Sequence, residues 1–542
     1  MLSILGFLVI LAPLVIVHEL GHYFFARLFG VKAEVFSIGF GPRIWAKKWG
    51  ETEWRFSAIP LGGYVKLLGE DPSSPLAPEE KARALPNQSA GKRFWIFFGG
   101  PFFNFIYAAF VFMAIMAIGE PKIANQIGRV IGGSPAEQAG FRSGDKILDV
   151  GGVPVQFFSD VLDEFAKFPL KPVDVKVHRL SGADETVTIT PEGAVGFTKF
   201  GEEQQVGRVS GLLPFPRGLR LGVSSPDTAA ARAEFRTGDE IVSINGETVS
   251  SWEEFERKFA AVAPRKETTI AAKSEKGATT KTLKAVKSSA KDTLGSLLGL
   301  HSSELFIEQV VKGSPAEKAG VDGGDRILAV DGTPLSSFYS LKDLIQDSAA
   351  KDGEVMLSWE RAGKTVTEKI VPHQHTERDP VLREVTQFTI GIVPQLILLD
   401  AEMIIERTLN PISLVANGFA RVWDFSYRNV VSIGKMIIGD VSVATLGGPI
   451  LIGKIAGESL ERGLISFLTT MAILSIGLGI LNVLPIPVLD GGHLLLLGIE
   501  VIRGRPLTLR QMEVLQQVGL SIIVLLMVLV MRNDISRLSL FN

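Results

Sequence analysis

The 542-residue chain contains no cysteine. That excludes disulfides, thiolate nucleophiles and cysteine-ligated zinc or iron–sulfur sites. Histidine is scarce as well, at seven residues, so any imidazole-based centre draws on a short list. Neither sign of charge is in excess: 56 Lys and Arg stand against 58 Asp and Glu, a formal net charge of -2. A nucleic-acid binder normally carries a basic excess, and no basic stripe interleaved with aromatics occurs. What the chain does have is apolar residues, 46% of the total, and a mean hydropathy of +0.27. With 21% of residues charged, this implies membrane spans joined to a sizeable soluble part.

The opening "MLSILGFLVILAPLVIV" lacks the charged start and small-residue cleavage pattern of a signal peptide, so it reads as a retained span. Four runs are long enough to cross about 30 Å of hydrocarbon. They are roughly Leu5–Phe25, Phe94–Gly119, Leu464–Ile486 and Val518–Met531, the last beginning near Leu515. A weaker stretch, Phe388–Leu399, fits an amphipathic or re-entrant piece, and Asp400–Gly439 an amphipathic surface helix. The loop Val31–Arg93 carries ten Lys and Arg, and Arg503, Arg505 and Arg510 precede the last span. Positive loops face the cytoplasm, which puts the insert after the second span outside. Arg532 and Arg537 at the C-terminal end argue mildly the other way.

The insert repeats itself, the signature of an array. "GSPAEQAGFRSGDKILDVGGVPV" starts at Gly133 and "GSPAEKAGVDGGDRILAVDGTPL" at Gly313. "SSPDTAAARAEFRTGDEIVSINGETV", from Ser224, is an intermediate copy with three extra residues before its Gly238–Asp239. Each predicts a short helix, a Gly-Asp turn, an apolar strand and a second turn. These units resemble bacterial-type PDZ domains, which implies grooves that take an extended peptide by strand addition. Compact β-rich spacers are the plainer alternative.

Within the first span lies "VIVHELGHYF". His18 and His22, four residues apart, share one helix face, and Glu19 adjoins His18. This H-E-x-x-H pattern supplies two zinc ligands and a general base. Ionisable groups at that depth are costly and usually functional. A zinc hydrolase also needs a third protein ligand. "LNVLPIPVLDGGHLLLLG", at the end of the third span, offers Asp490 among apolar residues, with His493 as a rival. Pro485 and Pro487 break the helix there, and Asn482 can bond freed carbonyls or a substrate backbone.

"HELGH" in a first span with "NVLPIPVLDGG" in a late one resembles the site-2 protease family of intramembrane zinc metalloproteases. The nearer likeness is to the regulator-of-sigma-E protease branch, and "FSIGFGPRIW", "LGGYVKLLGE", "GGPFFNFI" and "LGGPILIGKIAG" share it. The resemblance implies Zn2+ held by His18, His22 and Asp490, Glu19 as catalytic base, and Asn482 as a substrate-holding residue. It also implies a membrane-associated β element at Gly62, Gly63, Tyr64 and Val65 that adds a substrate strand. The expected substrate is the transmembrane segment of a single-span protein such as an anti-sigma factor, already cut once, in the bacterial inner membrane with the repeats periplasmic.

The expected fold is a polytopic α-helical membrane protein of about four spans, with the β element and three inserted PDZ-like α+β domains. Residues 1–119 form the first membrane part, 120–205, 206–290 and 300–375 the repeats, 376–460 a membrane-surface region, and 461–542 the second membrane part. The competing classes are a non-catalytic membrane scaffold, which needs neither metal nor Glu19, and a metal-ion transporter. A transporter calls for polar residues along the other helices, which the second and fourth spans scarcely have.

Overall fold

The computed structural model describes residues 2–70, 76–197, 203–262, 268–274, 277–284, 294–378, 384–439, 443, 446–505 and 507–539. Parts of the expected repeats, at 198–202 and 263–267 among others, lie outside these. Contacts divide the chain into two compact units. One joins Met1–Glu120 to Ile405–Asn542, and the other is Pro121–Ile404.

In the first unit the long helices are α1 (Leu2–Leu28), α2 (Ala90–Ile118), α3 (Pro411–Ile438), α4 (Pro449–Glu461), α5 (Leu464–Val483), α6 (Asp490–Arg503) and α7 (Leu509–Ser539). Among the described residues four helical stretches are long and apolar enough to span a membrane: Gly6–Leu28, Ala90–Ile118, Leu464–Val483 and Arg510–Ser536. They match the four predicted runs. The third ends earlier than expected, because the residue before Pro485 is disfavoured in helix. The fourth starts earlier, because Arg510, Gln511, Met512 and Glu513 are good helix formers. The amphipathic helix expected within Asp400–Gly439 is α3. It starts only where the Asn410 side chain accepts from the Ile412 and Ser413 amides at 2.9 and 3.3 Å.

Small residues set the helix spacing. Gly21 of α1 abuts α2 so closely that an added Cβ would lie 2.1 Å from the Gly99 carbonyl oxygen, the small-residue contact that lets membrane helices touch. Helix α5 also lies against α2, where the buried Ser475 hydroxyl donates to the Asn104 carbonyl at 2.9 Å. Strands β1 (Ala33–Trp49) and β2 (Thr52–Leu67) form an antiparallel hairpin that doubles back. Residues Val35 to Ile38 pair with Glu53 to Phe56 on one side and with Gly63 to Lys66 on the other. Gly63 to Lys66 thus forms an outer strand. At Gly63 it packs against α1, so that an added Cβ would meet Glu19 Cγ at 3.1 Å and Val15 at 3.2 Å.

The second unit shows the repeat three times. Each copy has a four-stranded antiparallel sheet centred on Lys146–Val150, Glu240–Ile244 or Arg326–Val330. Each short helix is capped by a hydroxyl, as Ser134, Thr228 and Ser314 accept from the amides of Glu137, Ala231 and Glu317 at 3.2–3.3 Å. The Gly-Asp motif proves structural. Asp145, Asp239 and Asp325 are buried and each accepts from the amide three residues earlier at 2.8–2.9 Å. The second turns carry Asn245 and Asp331 at positive φ before Gly246 and Gly332, as tight hairpins require. The stretch Phe388–Leu399 is not a membrane piece. Its β-branched "FTIGIVP" joins the third copy, with Ile392–Pro394 paired to Ile307–Val310 and Ile390 in that copy's core.

One carboxylate ties the copies together. Glu304, with 2% side-chain exposure, accepts from both terminal guanidinium nitrogens of the equally buried Arg129 at 2.8 and 2.6 Å. It also accepts from the Phe338 amide at 2.9 Å, where the third copy's long helix begins, and lies 3.6 Å from Arg217. Removing one partner of such a pair strands the other in a dry interior. Glu304→Ala is therefore expected to destabilise this unit by about 3–5 kcal/mol, read from the denaturant midpoint of tryptophan fluorescence. A loss under about 1 kcal/mol would contradict that.

His301 titrates in the same unit. Burial, then the nearby Arg326, pushes its imidazole down to about 3. An unfolded histidine protonates near 6.5, so the unfolded chain binds a proton that the folded one refuses. The stability this contributes is complete above about pH 6.5 and is lost as pH falls towards 3, by about 2 kcal/mol at pH 5. A His301→Gln chain should lose correspondingly less stability than the native one between pH 7 and 5. Equal losses would refute the assignment.

Candidate active site and metal centre

His18 and His22 face α2 from consecutive turns of α1. There, one stripe of α2, residues 96, 100 and 104 at four-residue spacing, meets them. The His22 Nδ1 hydrogen-bonds the Ile96 carbonyl at 2.8 Å, and His18 Nδ1 lies 3.1 Å from the Asn104 amide nitrogen. Between them Gly100 leaves the room the imidazoles use: an added Cβ would lie 2.4 Å from His22 Nε2 and 2.8 Å from His18 Nε2. The two Nε2 atoms turn towards each other, 3.2 Å apart.

Asp490, the first residue of α6, completes the cluster at the end of the loop from α5. Its carboxylate lies 3.1 Å from His18 Nε2 and 3.4 Å from His22 Nε2. The proline-broken segment reaches this position through a strained backbone. Val488 holds φ at 95°, a genuine outlier for a β-branched residue and the kind of strain that gathers at functional sites. Gly491 and Gly492 follow because the loop folds under the start of α6. A Cβ on either would meet the Leu484 or Ile486 carbonyl oxygen at 2.1 or 2.6 Å. Helix α7 also presses on this loop, since a Cβ at Gly519 would come within 2.0 Å of the Pro487 oxygen.

Ligand atoms of His18, His22 and Asp490 all lie within 4.8 Å of one another, the grouping an ion requires. The donor set suits zinc: two imidazoles and a carboxylate. The buried Asp490 Oδ2, 3.1 Å from His18 Nε2, makes no hydrogen bond, the condition of an atom that a cation would satisfy. His18 and His22 thus come together with Asp490, a residue more than 460 positions further along the chain. Glu19 lies beside them on α1, with the outer strand at Gly63 against it and the Val65 amide facing its carboxylate. Asn482 is also brought in, its amide nitrogen 3.5 Å from His18 Nε2. His493 is not: its ring stacks on Phe97 at 4.9 Å, nearly parallel.

Sequence reasoning missed Ile96, Gly100 and Asn104. Ile96 acts through its carbonyl, which no side-chain pattern reveals. A Gly and an Asn four residues apart in an apolar span were the available signal.

The family model described as peptidase family M50 matches residues 6–526. The chain belongs to that family. It is 32% identical over 535 residues to the regulator of sigma-E protease RseP of Escherichia coli K12, with 98% of each chain covered. The regulator of sigma E protease of Salmonella typhimurium LT2 is 31% identical over 99% of this chain and all of its own. A Neisseria meningitidis serogroup A protein named as a candidate zinc metalloprotease is 32% identical, with 99% of each chain covered. The protein is a zinc-dependent intramembrane metalloprotease of the site-2 type.

The tight fit at Gly100 yields a test. Gly100→Ala should lower cleavage of a membrane-embedded substrate by about 100-fold, since displacing a catalytic group by about 1 Å costs that much, while the purified chain keeps its native elution in detergent. Near-native cleavage would contradict the packing described.

Proposed function

We propose that this protein cuts peptide bonds within the transmembrane segment of single-span bacterial membrane proteins, with His18, His22 and Asp490 holding the zinc and Glu19 acting as base. The observation that carries the reading is the convergence of the two imidazoles and the carboxylate inside a helix bundle long and apolar enough to span a membrane. A scaffold has no use for that convergence.

When bound, zinc supplies a Lewis acid that polarises a carbonyl and makes water a nucleophile near neutral pH. The rest is the work of the chain. A peptide bond in a helix has its carbonyl occupied, so the substrate must be held unwound. The outer strand Gly62, Gly63, Tyr64 and Val65 offers strand addition for that purpose, and Asn482 donates to the substrate backbone beside the scissile bond. Glu19 takes the proton of the attacking water and delivers it to the leaving amine. Pro485, Pro487 and the strained Val488 hold Asp490 in place against the pull of the helix.

The regulator-of-sigma-E names of the relatives support an anti-sigma factor as substrate, within envelope-stress signalling at the inner membrane. The Lys- and Arg-rich β hairpin supports a cytoplasmic position for β1 and β2, which puts the repeats in the periplasm. The three copies of one sheet topology support three PDZ-like domains at about 120–205, 206–290 and 300–375, the last extended by the strands up to Pro394, and a membrane-surface region within 405–460. Their grooves would engage extended segments outside the membrane and hold back substrates that still carry a bulky external domain.

Purified native chain and Glu19→Gln in detergent, each given a single-span reporter with or without its external domain, test the proposal. The native chain should cut the trimmed reporter well and the untrimmed one poorly. The variant should cut neither, by a factor of at least about 1000, while both chains hold one zinc. Cleavage surviving in the variant would remove Glu19 as base, and equal cleavage of both reporters would remove the filter.

A further inference from the structure

Asn104 is wholly buried in α2, yet half of its side chain is unaccounted for. Its amide nitrogen sits 3.1 Å from His18 Nδ1, while its Oδ1 is buried without any donor. A buried carbonyl oxygen left unpaired costs about 1–3 kcal/mol. The amide's two ends are interchangeable in assignment, so the hydrogen bonds decide which faces the imidazole.

His22 provides the comparison within the same site. Its Nδ1 donates to the Ile96 carbonyl at 2.8 Å, which fixes the tautomer that leaves Nε2 free. His18 presents Nε2 to the same point, 3.1 Å from Asp490 and 3.2 Å from His22 Nε2. For Nε2 to carry a free lone pair its Nδ1 must bear hydrogen, and that hydrogen needs an acceptor. An amide nitrogen is a donor only. Turning the Asn104 amide over puts Oδ1 on the imidazole, so that the buried oxygen gains a donor and the His18 Nδ1–H an acceptor. Position 104 is pinned for this: it stands one turn from Gly100, and its own carbonyl is held by the Ser475 hydroxyl at 2.9 Å.

We propose that Asn104 is a positioning residue for His18, its Oδ1 accepting from Nδ1–H and so fixing the tautomer and ring orientation in which Nε2 binds metal. Ile96 does the same for His22 through a backbone carbonyl. The two imidazoles are thus oriented by one stripe of α2, one through a replaceable side chain and the other not. This rests on the reading of His18, His22 and Asp490 as the metal ligands.

The test compares the native full-length chain, Asn104→Leu, Asn104→Asp and His18→Ala in detergent, by zinc content and by competition with a chelator. Loss of such an outer partner typically lowers metal affinity 10–100-fold, so Asn104→Leu should show that loss. Asn104→Asp, which keeps an acceptor in place, should hold zinc within about threefold of the native chain, and a cobalt-loaded sample should keep the native visible spectrum. Native affinity in Asn104→Leu, or equal losses in Leu and Asp variants, would overturn the proposal. If His18→Ala also kept zinc, or the native chain held none, the ligand assignment itself would fall.

Discussion

Helices α1 and α2 meet backbone to backbone. Gly21 faces Gly99 with no room for a methyl group, and Gly100 faces the two imidazoles in the same way. Everything at the centre depends on that approach. A residue with a side chain at any of these places would hold the helices apart. His22 would then lose the Ile96 carbonyl, His18 would lose Asn104, and the point where both Nε2 atoms meet Asp490 would open. Lipid tails give helices no hydrophobic reason to associate, so close packing of this sort and a few polar contacts must supply the cohesion.

The second half of the site is set by a broken helix. Helix α5 ends at Val483 because prolines follow, and α6 starts again at Asp490. The backbone of the six residues between could not lie exposed in hydrocarbon. The Leu484 and Ile486 carbonyls lie against the α6 glycines and the Pro487 carbonyl against Gly519 of α7, with Pro487 buried. The strain at Val488 is the visible consequence of forcing a short connection to present a carboxylate at one point. A close-packed α1–α2 pair and a strained α5–α6 loop thus bring together the three residues proposed as ligands from distant parts of the chain.

Much of this was legible beforehand, for identifiable reasons. Spans are read from hydropathy because length and apolarity leave few alternatives, and all four proved to be helices. The H-E-x-x-H spacing is a statement about one helix face, so His18 and His22 carried over directly. Asp490 was legible because a carboxylate between prolines and glycines at the end of a span has few structural uses. The repeats were legible through their turn chemistry, and their buried Asp residues turned out to do structural work. The stretch Phe388–Leu399 was misread because a short apolar run does not distinguish a membrane piece from a strand in a buried sheet. The roles of Ile96 and Glu304 were out of reach, since a backbone acceptor and a junction between copies appear only when the chain is folded.

The central claim is that two imidazoles and one carboxylate hold the zinc. X-ray absorption at the zinc edge on the purified full-length chain reads that set directly. The account predicts a four-coordinate shell containing two imidazole nitrogens, with oxygen making up the rest, all at about 2.0–2.2 Å, and loss of zinc from Asp490→Ala. A shell with three or more imidazoles, or one without any, would contradict it.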